Sequence, residues 1–168
     1  MKKLAKLTAL LLTGVMLLLL ASCGAAPNPL TPEQQARQEI FNAINEVRKD
    51  KGMPSLREEQ KLTQLEQEFI EHFREAGTKG IPMSEARKLE EELYNKQKEA
   101  GWQFTGGITY SYSVSSAKLG NVYEGDTEAF RKMLSIFSVE DASTALSIGV
   151  VTIEGKIYWT VATLKPIT

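Results

Sequence analysis

The spacing of apolar residues changes at Gly101, and that change limits which architectures are open to the chain. Before it, apolar side chains recur every three or four residues, as a helix with one buried face requires. After it they alternate, as a half-buried strand requires. Thr31-Pro32-Glu33-Gln34 is a capping box with proline at the first helical position, and Ile40, Ile44 and Val47 follow at helical spacing, predicting a helix from Pro32 to Asp50. Gly52-Met53-Pro54 ends it. Ser55-Leu56-Arg57-Glu58 reads as a second capping box, and Leu62, Leu65, Phe69 and Phe73 form one stripe on a second helix that stops near Ala76-Gly77. A third helix from Ser84 to Ala100 carries Ala86, Leu89 and Leu93 on a narrow apolar face amid many charges.

Past Gly101, glycines 106 and 107 mark the start of a strand in which Ile108, Tyr110, Tyr112 and Val114 alternate with Thr109, Ser111 and Ser113. Asp126 is placed to cap a short helix carrying Phe130, Met133, Leu134 and Phe137. Leu146 to Ile153 and Lys156 to Leu164, joined by Glu154-Gly155, form a hairpin rich in β-branched and aromatic residues. The order α-α-α-β-α-β-β predicts an α+β fold, an antiparallel sheet covered by helices.

The amino terminus obeys different rules. Lys2, Lys3 and Lys6 precede an apolar stretch, Leu7 to Leu20, of about 14 residues, short of the ~20 that span a bilayer as a helix. A charged segment followed by a short apolar one is the pattern of an export signal. Leu20-Ala21-Ser22-Cys23 resembles the lipobox of bacterial lipoproteins. That resemblance implies a signal peptide over residues 1–22, a diacylglyceryl group on Cys23, and a tether over residues 23–31 ahead of a domain at residues 32–168. It also implies an extracytoplasmic protein held to the cell membrane or outer membrane by its acyl chains.

Cys23 is the only cysteine, so no intramolecular disulfide can form. With three lysines in the signal, the mature part holds 17 cations against 21 acids, a charge near −4. Nothing in that balance suggests a nucleic-acid partner.

Three further segments resemble the CAP superfamily of cysteine-rich secretory and pathogenesis-related proteins. The first runs from Ala43 to Leu56 and includes Asn45, Arg48, Gly52 and Leu56. The second is Gly101 to Ala117, and the third combines Ile148-Gly149-Val150-Val151 with Gly155-Lys156-Ile157-Tyr158-Trp159-Thr160. The resemblance covers about Ile40 to Leu164. It implies an α-β-α sandwich and a cleft that in many members holds two histidines and two acids. Here Thr78 to Met83 contains no histidine, Gly106 stands where the family has a glutamate, and Asp141 stands where the second histidine follows a serine, here Ser138.

The remaining candidates are weighed by chemistry. His72, the one histidine, has no second imidazole or thiolate to complete a metal site, so a structural or surface role is expected, with no metal and no cofactor. No nucleophile motif accompanies it. The acid pairs Glu91-Glu92 and Glu124 with Asp126 read as solvated surface. Trp102, Tyr110, Tyr112 and Trp159 invite a glycan or lipid reading, with core packing favoured for Trp159. Tyr110, Tyr112, Glu124 and Asp141 are therefore the cleft candidates. The expected function is binding or interaction by a non-catalytic domain at the cell envelope. A hydrolase using a rearranged acidic cleft and a purely structural envelope protein are the alternatives.

Overall fold

The computed structural model describes residues 29–108, 111–112, 115–137 and 142–168, except the side chains of Ile108, Tyr112, Ile136 and Phe137. The expected signal segment and Cys23 lie outside the described residues. Helix α1 spans Pro32–Asp50 and is capped as the sequence predicts: Gln34 N donates to Thr31 Oγ1, and Thr31 N donates to Gln34 Oε1. Beyond its carboxyl end, Gly52 adopts a φ of 70°, a left-handed turn that suits a residue without a side chain.

The second capping box does not form. Arg57–Glu58 is instead a short strand, β1, parallel to a long strand β7 (Ala145–Ile153), and helix α2 starts only at Gln60 (Gln60–Ala76). The reason lies in α1. Asn45 uses both ends of its amide on Leu56, accepting from its N–H at 2.7 Å and donating to its carbonyl at 3.1 Å. Arg48, fully buried, donates to Pro54 O at 2.7 Å and to Ser143 O at 3.5 Å. These bonds fix 54–56 outside any helix and deliver the next two residues to the sheet edge.

After a 3₁₀ turn at Gly77–Lys79 come β2 (Ile81–Pro82), α3 (Met83–Glu99) and β3 (Trp102–Ile108). The strand read around Ile108 to Val114 is thus divided. β3 starts earlier, with Gly106 and Gly107 inside it, whereas β4 (Ser111–Tyr112) joins β5 (Ser116–Lys118) and β2 in a separate three-stranded sheet. Gly107 tolerates no side chain, since a Cβ there would lie 2.2 Å from the Val161 carbonyl oxygen. Next come β6 (Val122–Tyr123) and α4 (Glu128–Phe137). Thr127, not Asp126, caps α4, its Oγ1 accepting from Phe130 N, while Asp126 is taken by Arg131.

The hairpin of β7 and β8 (Lys156–Pro166) matches the sequence reading and is the centre of the fold. The main sheet has the order β1-β7-β8-β3, with β6 also on β8. Apart from β1 it is antiparallel. One face of the hairpin, Leu146, Ile148, Val150, Trp159 and Val161, packs on α1 and α4. The other presents Val151 and Ile153 to α2 and α3, and Ala145, Ala162 and Leu164 to Leu62 of α2. The near-continuous apolar run of β7 follows, since a strand covered on both faces needs apolar residues at every position. Thr31–Thr168 forms one compact unit of α+β class.

Candidate binding site

Of the four cleft candidates, only the side chain of Glu124 is described, and it is exposed between β6 and α4. Tyr110 and Asp141 lie outside the described residues, and Tyr112 is placed only as backbone in β4. The proposed partner of Glu124 is engaged elsewhere. Asp126 receives a 2.6 Å bond from Arg131, which holds its carboxyl below the usual range despite some burial. Arg131 also meets Glu46 of α1 at 2.6 Å. The hydroxyl of Tyr123 donates to Glu39, and burial together with that carboxylate drives its ionisation far above the ordinary phenol range.

Trp159 is core, as chemistry favoured: it is fully buried and meets Phe130 edge-on at 5.6 Å. Trp102 is only half-buried. With Phe104 it starts β3, on the face that carries Ala162 and Leu164. Tyr94 of α3 brings its ring to 4.9 Å from that of Phe104, and the Arg57 guanidinium sits 5.5 Å from the centre of Trp102. Tyr94, Lys98, Trp102, Gln103, Phe104 and Ile167 thereby line a hollow of about 390 Å³. An aromatic wall with a few polar groups, of roughly 300–1,000 Å³, is the usual form of a ligand pocket. Lys98 forms no ion pair among the described residues, so it is the cation available to whatever enters.

Sequence reasoning named Trp102 but missed the hollow. Tyr94 and Lys98 sit in a helix whose charges read as a solvated face, and nothing in that pattern reveals Phe104, ten positions on, as the partner of Tyr94.

A second hollow of about 350 Å³ lies between α2 and α3, with Leu65, Phe69, Leu89 and Leu93 in its lining. His72 is exposed at its rim, consistent with the surface role expected of it. Lys96 and Glu68 pair at 3.1 Å beside it. Among the described residues, no group of three or more His, Cys, Asp or Glu side chains is arranged to hold a metal.

Among the described residues, the most perturbed carboxyl is one the sequence did not single out. Glu66 of α2 is fully buried against β7 and β8, where its Oε2 lies 3.5 Å from the hydroxyl of Ser147 and its Oε1 has no partner. Burial pushes its pKa to about 7, and the nearby hydroxyls of Thr160 and Ser147 temper the rise. The Thr160 hydroxyl makes no well-formed hydrogen bond, yet it lies close enough to favour the ionised form. A sealed carboxyl of this kind has no route to a substrate.

No family model, curated protein or solved structure matches this chain.

Proposed function

We propose that the protein is a lipid-anchored envelope protein whose folded part is a divergent CAP-like domain acting in binding rather than catalysis. The anchoring half of the reading comes from the sequence at Leu20 to Cys23. The CAP half is supported by helices against both faces of an antiparallel sheet, as the sandwich requires. It is further supported by Asn45 and Arg48, two residues of the resembling segment, which brace the turn after α1.

The observation that carries the binding function is the aromatic hollow. It offers stacking surface, a free amide on Gln103 and a cation on Lys98, with no acid or base positioned for proton transfer among its lining residues. Such a site holds a ligand by contact and charge. The full chain, titrated with peptide and glycan fragments of bacterial envelopes, is expected to bind at least one class in the micromolar range. Trp102→Ala is expected to weaken that binding roughly tenfold or more, as loss of an aromatic anchor in an interface does. Peptide, ester and glycan substrates are expected to pass unchanged. Turnover of any of them, abolished by Glu124→Gln or Asp141→Asn, would replace this reading with the hydrolase.

A further inference from the structure

The hollow lies beside the outer edge of β3. Among the described residues β3 pairs only with β8, which makes it the last strand of the main sheet. Ile167 N donates to Gly101 O at 2.9 Å, so the backbone groups of Gly101 face β8. Strand residues alternate in the direction of their N–H and C=O groups, so Gln103 also faces β8 while Trp102 and Phe104 turn theirs outward. Pro166, opposite Trp102, has no N–H to offer, which fits that register. The same two residues supply the aromatic wall. Beyond Phe104 the register shifts by a bulge before Gly106, which ends the flat run after three residues.

We infer that the outer edge of β3 from Trp102 to Phe104 receives a short extended peptide bearing a C-terminal carboxylate, with its last apolar side chain in the hollow. A strand added there finds the donors and acceptors of Trp102 and Phe104 already aligned. Side chains on an added strand stand beside those of their paired neighbours, which places one of each two against Trp102, Phe104 and Tyr94. Lys98 supplies the countercharge for the terminal carboxylate. A second copy of the chain is a poorer occupant. Edge-to-edge pairing of two copies would have only three flat residues on each side, and natural edges use bulges to prevent it. The inference rests on the hollow being the ligand site and adds the class of ligand and the way it is held.

The probe is the N-terminally labelled peptide Thr-Val-Thr-Val-Phe, titrated against the full chain in detergent by fluorescence anisotropy. All decisive changes are made first in the peptide, so folding of the protein is not at issue. The expected result is saturable binding, weakened roughly tenfold or more by a C-terminal amide and similarly by N-methylation of the second threonine and the phenylalanine amides, which face β3 when the peptide lies antiparallel with its phenylalanine beside Trp102. Lys98→Ala should weaken the acid peptide while leaving the amide peptide unchanged. Equal binding of the N-methylated and parent peptides would overturn strand addition while leaving the hollow as a ligand site. Binding of a glycan but not of the peptide would do the same. Failure of peptide, glycan and Trp102 dependence together would bring down the binding function as well. A concentration-dependent dimer through this edge that the peptide neither binds nor dissociates would assign the edge to a second copy and overturn the proposal.

Discussion

Ionising a carboxyl sealed between a helix and a sheet is costly, and at Glu66 the cost appears as a pH dependence of stability. Its pKa in the folded chain is about 7 against an ordinary value of 4.5, so the native state holds a proton that the unfolded chain has already released. Stability from this group is complete below about pH 4.5, declines as pH rises to 7 and is level above that, a loss on the order of 3 kcal/mol. Glu66→Gln keeps the shape without the charge. Denaturant melts at pH 5 and pH 8 are expected to show the variant losing markedly less stability between the two than the parent, and to show it more stable at pH 8. Equal slopes would mean that water reaches the carboxyl. The sheet residue facing it is constrained as tightly. A side chain on Gly149 would come within 2.9 Å of the Glu66 carbonyl oxygen and 2.8 Å of Thr160 Oγ1. Gly149→Ala must therefore push α2 off the sheet, and a destabilisation of about 1–3 kcal/mol is expected in the same melts.

Among the elements, α1 and the β7–β8 hairpin were legible because each is specified locally: a capping box and a helical stripe in one, two alternating apolar runs around Glu154-Gly155 in the other. Where the reading failed, a distant partner decided. Ser55-Leu56-Arg57-Glu58 has the letters of a helix start, but Asn45 and Arg48 hold its neighbourhood outside any helix and β7 accepts Arg57–Glu58 as a strand. The segment after Gly101 alternates correctly, yet its pairing is divided between two sheets by contacts with β8 and with β5. The aromatic hollow was hidden for the same reason, since it joins one helix, one strand and the carboxyl-terminal residues. The brace on β1 can be tested directly. Asn45→Ala removes two hydrogen bonds to the Leu56 backbone in a partly buried setting, which should cost about 1–3 kcal/mol. Hydrogen exchange should then report the loss first at Leu56 and Arg57, with α2 and β8 protected as before. A uniform loss of protection would mean that β1 is fastened by something other than Asn45.

For the whole molecule, the decisive question is whether it is held to a membrane and by what, because two sources of affinity are conceivable and they predict different behaviour. No helix among the described residues is long and apolar enough to cross a bilayer. Among the described residues of the folded unit, Ile167 is the one large apolar residue that is exposed, at 47%, and it belongs to a hollow with a lysine in it. Surface of that kind contributes little next to acyl chains, each worth ~0.8 kcal/mol per buried methylene. Membrane attachment should thus depend almost wholly on Cys23. Expressed in a bacterial host with radiolabelled palmitate, the wild-type chain is expected to carry label and to enter the detergent phase on cloud-point separation. Cys23→Ser should lose the label and move to the aqueous phase, while retaining peptide binding with the affinity of the parent. That combination separates anchoring from recognition within one protein. A Cys23→Ser chain that still partitioned with detergent would locate the membrane affinity in the folded unit or in an uncleaved leader, and the lipoprotein reading would fall with the binding site untouched.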